Sequence, residues 1–135
     1  MITGFAHICF NVSDLDASIA FYRKMGFAPA FEFLRDNGER HGIYLHMGGR
    51  SFIELVKGEL AAPAEKQSYQ PFCLEVDDIE ATAGELRTKG IKVGEIKLGK
   101  DRSFQAWLAD PDGNRIELHQ YTPQSKQAVC LNRAK

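Results

Sequence analysis

The chain has 135 residues, of which 44% are hydrophobic and 26% charged, with a formal charge of -1 at neutral pH. That length suits one domain with a shared core, and so balanced a charge argues against nucleic acid or a membrane surface as principal partner. No stretch approaches the roughly 18 apolar residues of a membrane helix, and no basic leader opens the chain; Cys9, Cys73 and Cys130 form no C-x-x-C pair, so a cytoplasmic protein with reduced thiols is expected.

In FAHICFNV, residues 5–12, Ile8, Phe10 and Val12 alternate with His7, Cys9 and Asn11. This period of two predicts a strand with one apolar and one mixed face. Ser13 and Asp14 suit a helix N-cap, Leu15, Ile19 and Tyr22 are spaced to cover the strand's apolar face, and Gly26 suits the left-handed position that ends a helix. Strands follow over 27–34, 42–47 and 51–57, with Met47-Gly48-Gly49-Arg50 as a tight turn. Residues 58–67, small, polar and proline-containing, read as a linker.

The same order then returns. A shift of 64 positions aligns Cys9 with Cys73, Val12 with Val76, Asp14 with Asp78, Ala17 with Ala81, Arg23 with Arg87 and Gly26 with Gly90. YQPFCLEV at 69–76 is the strand, Asp77 and Asp78 offer the cap, and Ile79, Ala83 and Leu86 form the helix's apolar stripe. Further strands are predicted over 91–97, 104–109 and 114–120, the last two joined by the DPDGN turn at 110–114. The tail, about 122–135, has no sustained period and is expected to be irregular or a short helical turn. The fold class is α+β, with two repeated β-α-β-β-β modules at about 4–57 and 68–121.

SFIELV and NRIELH close the two modules, sharing Ile53-Glu54-Leu55 and Ile116-Glu117-Leu118. Strand alternation that turns the aliphatic residues toward the helix sends Glu54 and Glu117 to the opposite face, and the same parity puts His7 there. A single such glutamate is ordinarily just solvated. Two at equivalent places in a repeat point to a shared task. The repeat is broken at one chemically important place, where Pro71 stands in the slot of His7.

Through HICFNVSDLDASIAFYRKMGF, CLEVDDIE and WLADPDGNRIELHQY, the chain resembles the vicinal oxygen chelate superfamily of glyoxalases, bleomycin-resistance proteins and extradiol dioxygenases. The resemblance covers residues 5 to about 121. It implies a cupped mixed sheet with helices on the convex side, and a divalent metal, Zn, Ni, Mn, Fe or Co, held by one ligand from the first and fourth strand of each module. By position these ligands are His7, Glu54 and Glu117, with Pro71 unable to supply a fourth. Gln70, Cys73, Glu75, His119 and His46 are weaker substitutes. One imidazole and two carboxylates suit a borderline or hard divalent ion and leave positions open for a chelating substrate.

The activity so implied is a glyoxalase-like, metal-dependent lyase or isomerase acting on a small oxygen-rich substrate, with Glu54 or Glu117 as the base. The alternative is a non-catalytic drug- or antibiotic-binding protein of the bleomycin-resistance type; extradiol dioxygenase chemistry is less favoured because only one His of the pattern survives. Phe52, Gln105, Trp107, His119 and Tyr121 are expected to line the substrate cavity, with Phe31, Phe33, Tyr44 and Phe104 as further aromatic wall. A homodimer is expected. Arg35, Arg40, Arg50, Lys100, Arg102 and His41 are assigned to loops.

Overall fold

A computed structural model describes residue 1 and residues 4–60 and 71–133. Gln70 and most of the expected linker lie outside the described residues. The chain divides into two compact units, Met1–Lys66 and Gln67–Lys135.

The first unit contains β1 (His7–Val12), α1 (Leu15–Lys24), β2 (Ala28–Leu34), β3 (Arg40–Gly48) and β4 (Ser51–Lys57). Its four-stranded sheet has the order β1-β4-β3-β2. After the helical crossover, β2, β3 and β4 return as an antiparallel meander, and β4 comes to rest parallel to β1. The second unit contains β5 (Phe72–Glu75), α2 (Ile79–Thr88), β6 (Lys97–Leu98), β7 (Phe104–Ala109), β8 (Arg115–Gln120) and α3 (Lys126–Arg133), and its sheet repeats the pattern as β5-β8-β7-β6. Both sheets are mixed.

Each sheet buries one face under its own helix. Phe10, Val12, Ile43, Leu45, Ile53 and Leu55 pack with Leu15, Ile19 and Tyr22 of α1; Ala106, Leu108, Ile116 and Leu118 pack with Ile79, Ala83 and Leu86 of α2. These are the residues that the period-two and helical patterns select. Among the described residues, no helix is long and apolar enough to cross a membrane.

The helix ends are built alike. Asp14 accepts a hydrogen bond from the Ala17 amide at 3.0 Å, and Asp78 from the Ala81 amide at 2.9 Å. At the other end Gly26 (φ 95°) and Gly90 (φ 80°) take the left-handed conformation. The following amides, of Phe27 and Ile91, reach back to the carbonyls of Tyr22 and Leu86 at 3.1 and 3.0 Å. This is a Schellman closure, completed by the stacked Tyr22 and Phe27 rings 5.6 Å apart.

Two segments differ from expectation. The strand predicted over 91–97 is reduced to Lys97–Leu98. Arg87 of α2 donates to the carbonyls of Val93 and Gly94, at distances down to 2.7 Å, occupying acceptors that a longer ladder would use. A single bond, Gly94 N to Trp107 O at 2.8 Å, keeps the segment beside β7. The tail forms α3, whose start is fixed by tertiary bonds that no local pattern announces: the Lys126 amide donates to Asp101 O at 2.9 Å, and Ser125 Oγ to Arg102 O at 3.1 Å.

Asp14→Ala and Asp78→Ala should each cost about 1 kcal/mol, read as a lowered urea midpoint by circular dichroism; an unchanged midpoint in either variant would show that its cap bond contributes nothing.

Candidate functional site

In the first unit the face away from α1 carries two rows of side chains set by strand register. One runs Cys9, Glu54, Tyr44, Phe31 across β1, β4, β3 and β2; the next runs His7, Phe52, His46, Ala28. Tyr44 Oη donates to Glu54 Oε2 at 2.9 Å. His7, diagonal to Glu54, brings Nε2 to 3.4 Å from the same oxygen. Around this centre the Phe31 ring stacks on Tyr44 with centroids 4.6 Å apart, Phe33 meets Tyr44 edge-on at 5.8 Å, and Phe52 lies 6.0 Å away.

Burial, and then the Glu54 carboxylate, push the Tyr44 hydroxyl and the Cys9 thiol above their ordinary pKa values. Both therefore keep their protons at neutral pH and stand beside Glu54 as donors. The His7 side chain is 41% exposed and that of Glu54 19%, so this carboxylate is reachable from outside.

The second unit repeats the register with different side chains. Cys73, Glu117 and Trp107 form one row, and Glu75, His119, Gln105 and Lys97 the next. Glu117 is 7% exposed and His119 8%. Cys73 Sγ donates to Glu117 Oε2 at 3.3 Å, and His119 Nδ1 lies 2.7 Å from Glu117 Oε1. His119 Nε2 is 3.4 Å from Asp101 Oδ2, without hydrogen-bonding geometry. Desolvation, followed by Glu117, pushes the Cys73 thiol up to about 11. Tyr121 meets His119 edge-on at 5.2 Å, and the Arg115 guanidinium covers the Trp107 ring at 4.5 Å.

His7 and Glu54 are thus brought together, with Phe52 beside them. Glu117 belongs to the second unit, where Gln105, Trp107, His119 and Tyr121 share its surroundings. Glu117 departs from the open carboxylate that alternation alone suggests: Ile116, Glu117, Leu118 and His119 are all buried, so both faces of β8 are covered. Of the substitute ligands, Cys73 keeps its proton, His46 Nε2 lies 3.1 Å from Gly49 O, and Glu75 is exposed on the edge strand β5. His41 and Arg40 lie in β3 rather than a loop. Arg40 bonds Glu32 at 2.8 Å and also pairs with Asp16.

Two partners escaped the sequence. Tyr44 opposite Glu54 was recoverable, since a hairpin turning at Gly48-Gly49 sets residue 44 across from 54. Asp101 beside His119 had no such signal, because a loop brings it there. For a metal, the donor chemistry of His7 and Glu54 fits a borderline divalent ion, and their 3.4 Å separation matches the roughly 3.0–3.4 Å between neighbouring ligands with bonds near 2.1 Å. Among the described residues no three His, Cys, Asp or Glu groups are arranged to hold one. Pro71 supplies no donor.

The model of the Glyoxalase/Bleomycin resistance protein/Dioxygenase superfamily matches residues 4–118. A metallothiol transferase FosB of Staphylococcus epidermidis is 29% identical over 132 residues, covering 87% of this chain and 82% of its own. A glutathione transferase FosA of Serratia marcescens is 22% identical, covering 96% and 89%. Among solved structures, TnmS3, an antibiotic binding protein from Streptomyces sp. CB03234, superposes with a TM-score of 0.74 at 27% identity, covering 90% of this chain and 98% of its own.

With a pKa near 11, Cys73 should alkylate slowly at pH 7 and faster by about tenfold per pH unit up to pH 10, the thiolate being the nucleophile. Glu117→Gln removes a charge that, after desolvation, helps hold the proton on, so its Cys73 should react severalfold faster at pH 8.5 in iodoacetamide peptide mapping. Equal rates would show that the two groups do not interact.

Proposed function

The chain belongs to the Glyoxalase/Bleomycin resistance protein/Dioxygenase superfamily, and from that premise we propose that it is a metal-assisted enzyme for a small oxygen-rich substrate, with Glu54 as its base. The observation that carries this is the convergence of the His7 imidazole, the Glu54 carboxylate and the Tyr44 hydroxyl on an aromatic sheet face. Glu54 is preferred to Glu117 because its side chain keeps 19% exposure against 9%, and because the oxygens of Glu117 are engaged by Cys73 and His119. Glu117 is proposed as the functional carboxylate of the second unit.

His7 and Glu54 are the residues that would hold the ion. A divalent ion there supplies Lewis acidity toward adjacent substrate oxygens and stabilises a developing oxyanion. The remaining work falls to the chain's own groups. In a lyase or isomerase step Glu54 takes the proton α to a carbonyl and returns it to the neighbouring carbon. In thiol transfer, the reaction class in the names of the two curated relatives, Glu54 takes the S–H proton; sulfur then bonds to an electrophilic carbon, a C–O bond breaks, and the departing oxygen is protonated. Tyr44, which retains its proton, donates it to Glu54 in a hydrogen bond and holds that carboxylate in place. Phe31, Phe33 and Phe52 supply apolar surface for the substrate to lie against.

A second reading is favoured by one observation. Phe31, 51% exposed, lies flat against Tyr44, a platform suited to sequestering a planar ligand without chemistry, and the antibiotic-binding TnmS3 is a structural relative.

Chelator-stripped protein titrated with Zn²⁺ separates the two. Metal at a hundredfold excess over its Kd should raise stability by about 2.7 kcal/mol, and His7→Ala and Glu54→Gln should each weaken the Kd at least about tenfold, the loss of one ligand. Isomerisation of a hemithioacetal and thiol consumption with an epoxide are then assayed on the metal-loaded protein. No thermal response to Zn²⁺, or the same response in wild type and His7→Ala, overturns the enzyme reading; stabilisation by a planar aromatic antibiotic in metal-free protein supports the second.

A further inference from the structure

Both modules set a cysteine beside a glutamate, Cys9 next to Glu54 and Cys73 next to Glu117, but the strand on the other side differs. Tyr44 faces Glu54 and donates its hydroxyl to it. Trp107 faces Glu117, and its ring lies under the Arg115 guanidinium. A carboxylate only 7% exposed needs protein partners, because an unpaired buried charge is costly. Cys73 serves one oxygen and His119 the other. His119 stands two residues beyond Glu117, where the first module has Val56.

His119 is in turn flanked from outside the sheet by a carboxylate with which it forms no hydrogen bond. Asp101 Oδ2 lies 3.4 Å from its Nε2, and α3 clamps Asp101. The Lys126 amide donates to Asp101 O at 2.9 Å, and Gln127 Nε2 donates to Asp101 Oδ2 at 2.6 Å. Thr122 Oγ1 and Ser125 Oγ both donate to Arg102 O, at 2.8 and 3.1 Å, and the buried hydroxyls of Ser103 and Ser125 bond at 2.8 Å. Among the described residues Arg102 is the one non-glycine held at positive φ, 69°, a conformation that its surroundings must impose. Gly99 completes the seat: a Cβ there would come within 2.6 Å of Gln105 Nε2 and 2.8 Å of Asp101 Oδ1.

We propose that His119 is a positioning residue for Glu117, and that α3, by clamping Asp101 beside the His119 ring, sets the orientation of that carboxylate. The two glutamates are therefore under different control. Glu54 is held by a hydroxyl from its neighbouring strand, and Glu117 by an imidazole whose placement depends on the C-terminal helix. This deepens the proposed function and rests on it only for the task given to Glu117.

The test uses the full chain labelled with ¹³C and ¹⁵N, following the side-chain carboxyl resonances of Glu117 and Glu54 and the imidazole nitrogens of His119. His119→Leu should displace the Glu117 resonance and leave that of Glu54 in place. His119→Asn, whose amide nitrogen can occupy the place of Nδ1, should restore Glu117 to near its wild-type position. Gln127→Ala, a change on α3 that leaves the sheet intact, should shift the His119 and Glu117 signals together while the melting temperature stays within roughly 3 °C of wild type. An unmoved Glu117 in His119→Leu, an Asn variant displaced as far as the Leu variant, or unmoved His119 and Glu117 signals in Gln127→Ala would each overturn the proposal. Should His119→Leu fail to fold, the Asn and Gln127 variants decide it. None of these spectra needs a metal or substrate, so failure to bind Zn²⁺ counts against the enzyme reading and leaves this test intact.

Discussion

The chemistry of this protein hangs on strand parity. In Ile53-Glu54-Leu55 and again in Ile116-Glu117-Leu118, the two aliphatic residues are buried under a helix, Ile53, Leu55 and Ile116 completely and Leu118 to 1% exposure. Fully burying such side chains is worth about 1.5–3 kcal/mol each. A one-residue slip would forfeit that burial and force a carboxylate into the core. The packing of the apolar face thus fixes where each glutamate points, before any functional partner is considered.

What the two units do with that fixed carboxylate differs. The first keeps Glu54 partly open, with a histidine, a tyrosine hydroxyl and a thiol around it and phenyl rings beyond. The second buries Glu117 between a thiol and an imidazole. The divergence lies in which residues occupy equivalent register positions, Tyr44 against Trp107 and Val56 against His119, and in the loop and helix that the second unit sets beside His119. The duplicated scaffold, with its matched caps and Schellman closures, persists because it answers to backbone hydrogen bonding. The sheet faces are free to change.

The helices and their boundaries were legible because each rests on local chemistry. Asp14 and Asp78 cap from within the first turn, and Gly26 and Gly90 accept a positive φ that other residues resist. The pairing of His7 with Glu54 was legible from parity together with the family resemblance. The shortened β6 was not, because it depends on Arg87 reaching carbonyls six and seven residues ahead. Nor was α3, whose anchoring at Asp101 and Arg102 comes from a loop some two dozen residues earlier.

By itself, then, the sequence determined the duplicated α+β scaffold, which residues form its two apolar faces, and the placing of His7, Glu54 and Glu117 on the faces opposite, since each of these follows from periodicity and capping over a few neighbouring residues. Only the tertiary structure decided that Glu54 is the accessible carboxylate and Glu117 the enclosed one. Access and hydrogen-bond saturation depend on what other strands and loops bring near. In this chain Tyr44 comes from across a hairpin, whereas Asp101 and α3 come from outside the sheet, at distances along the chain that no local pattern encodes.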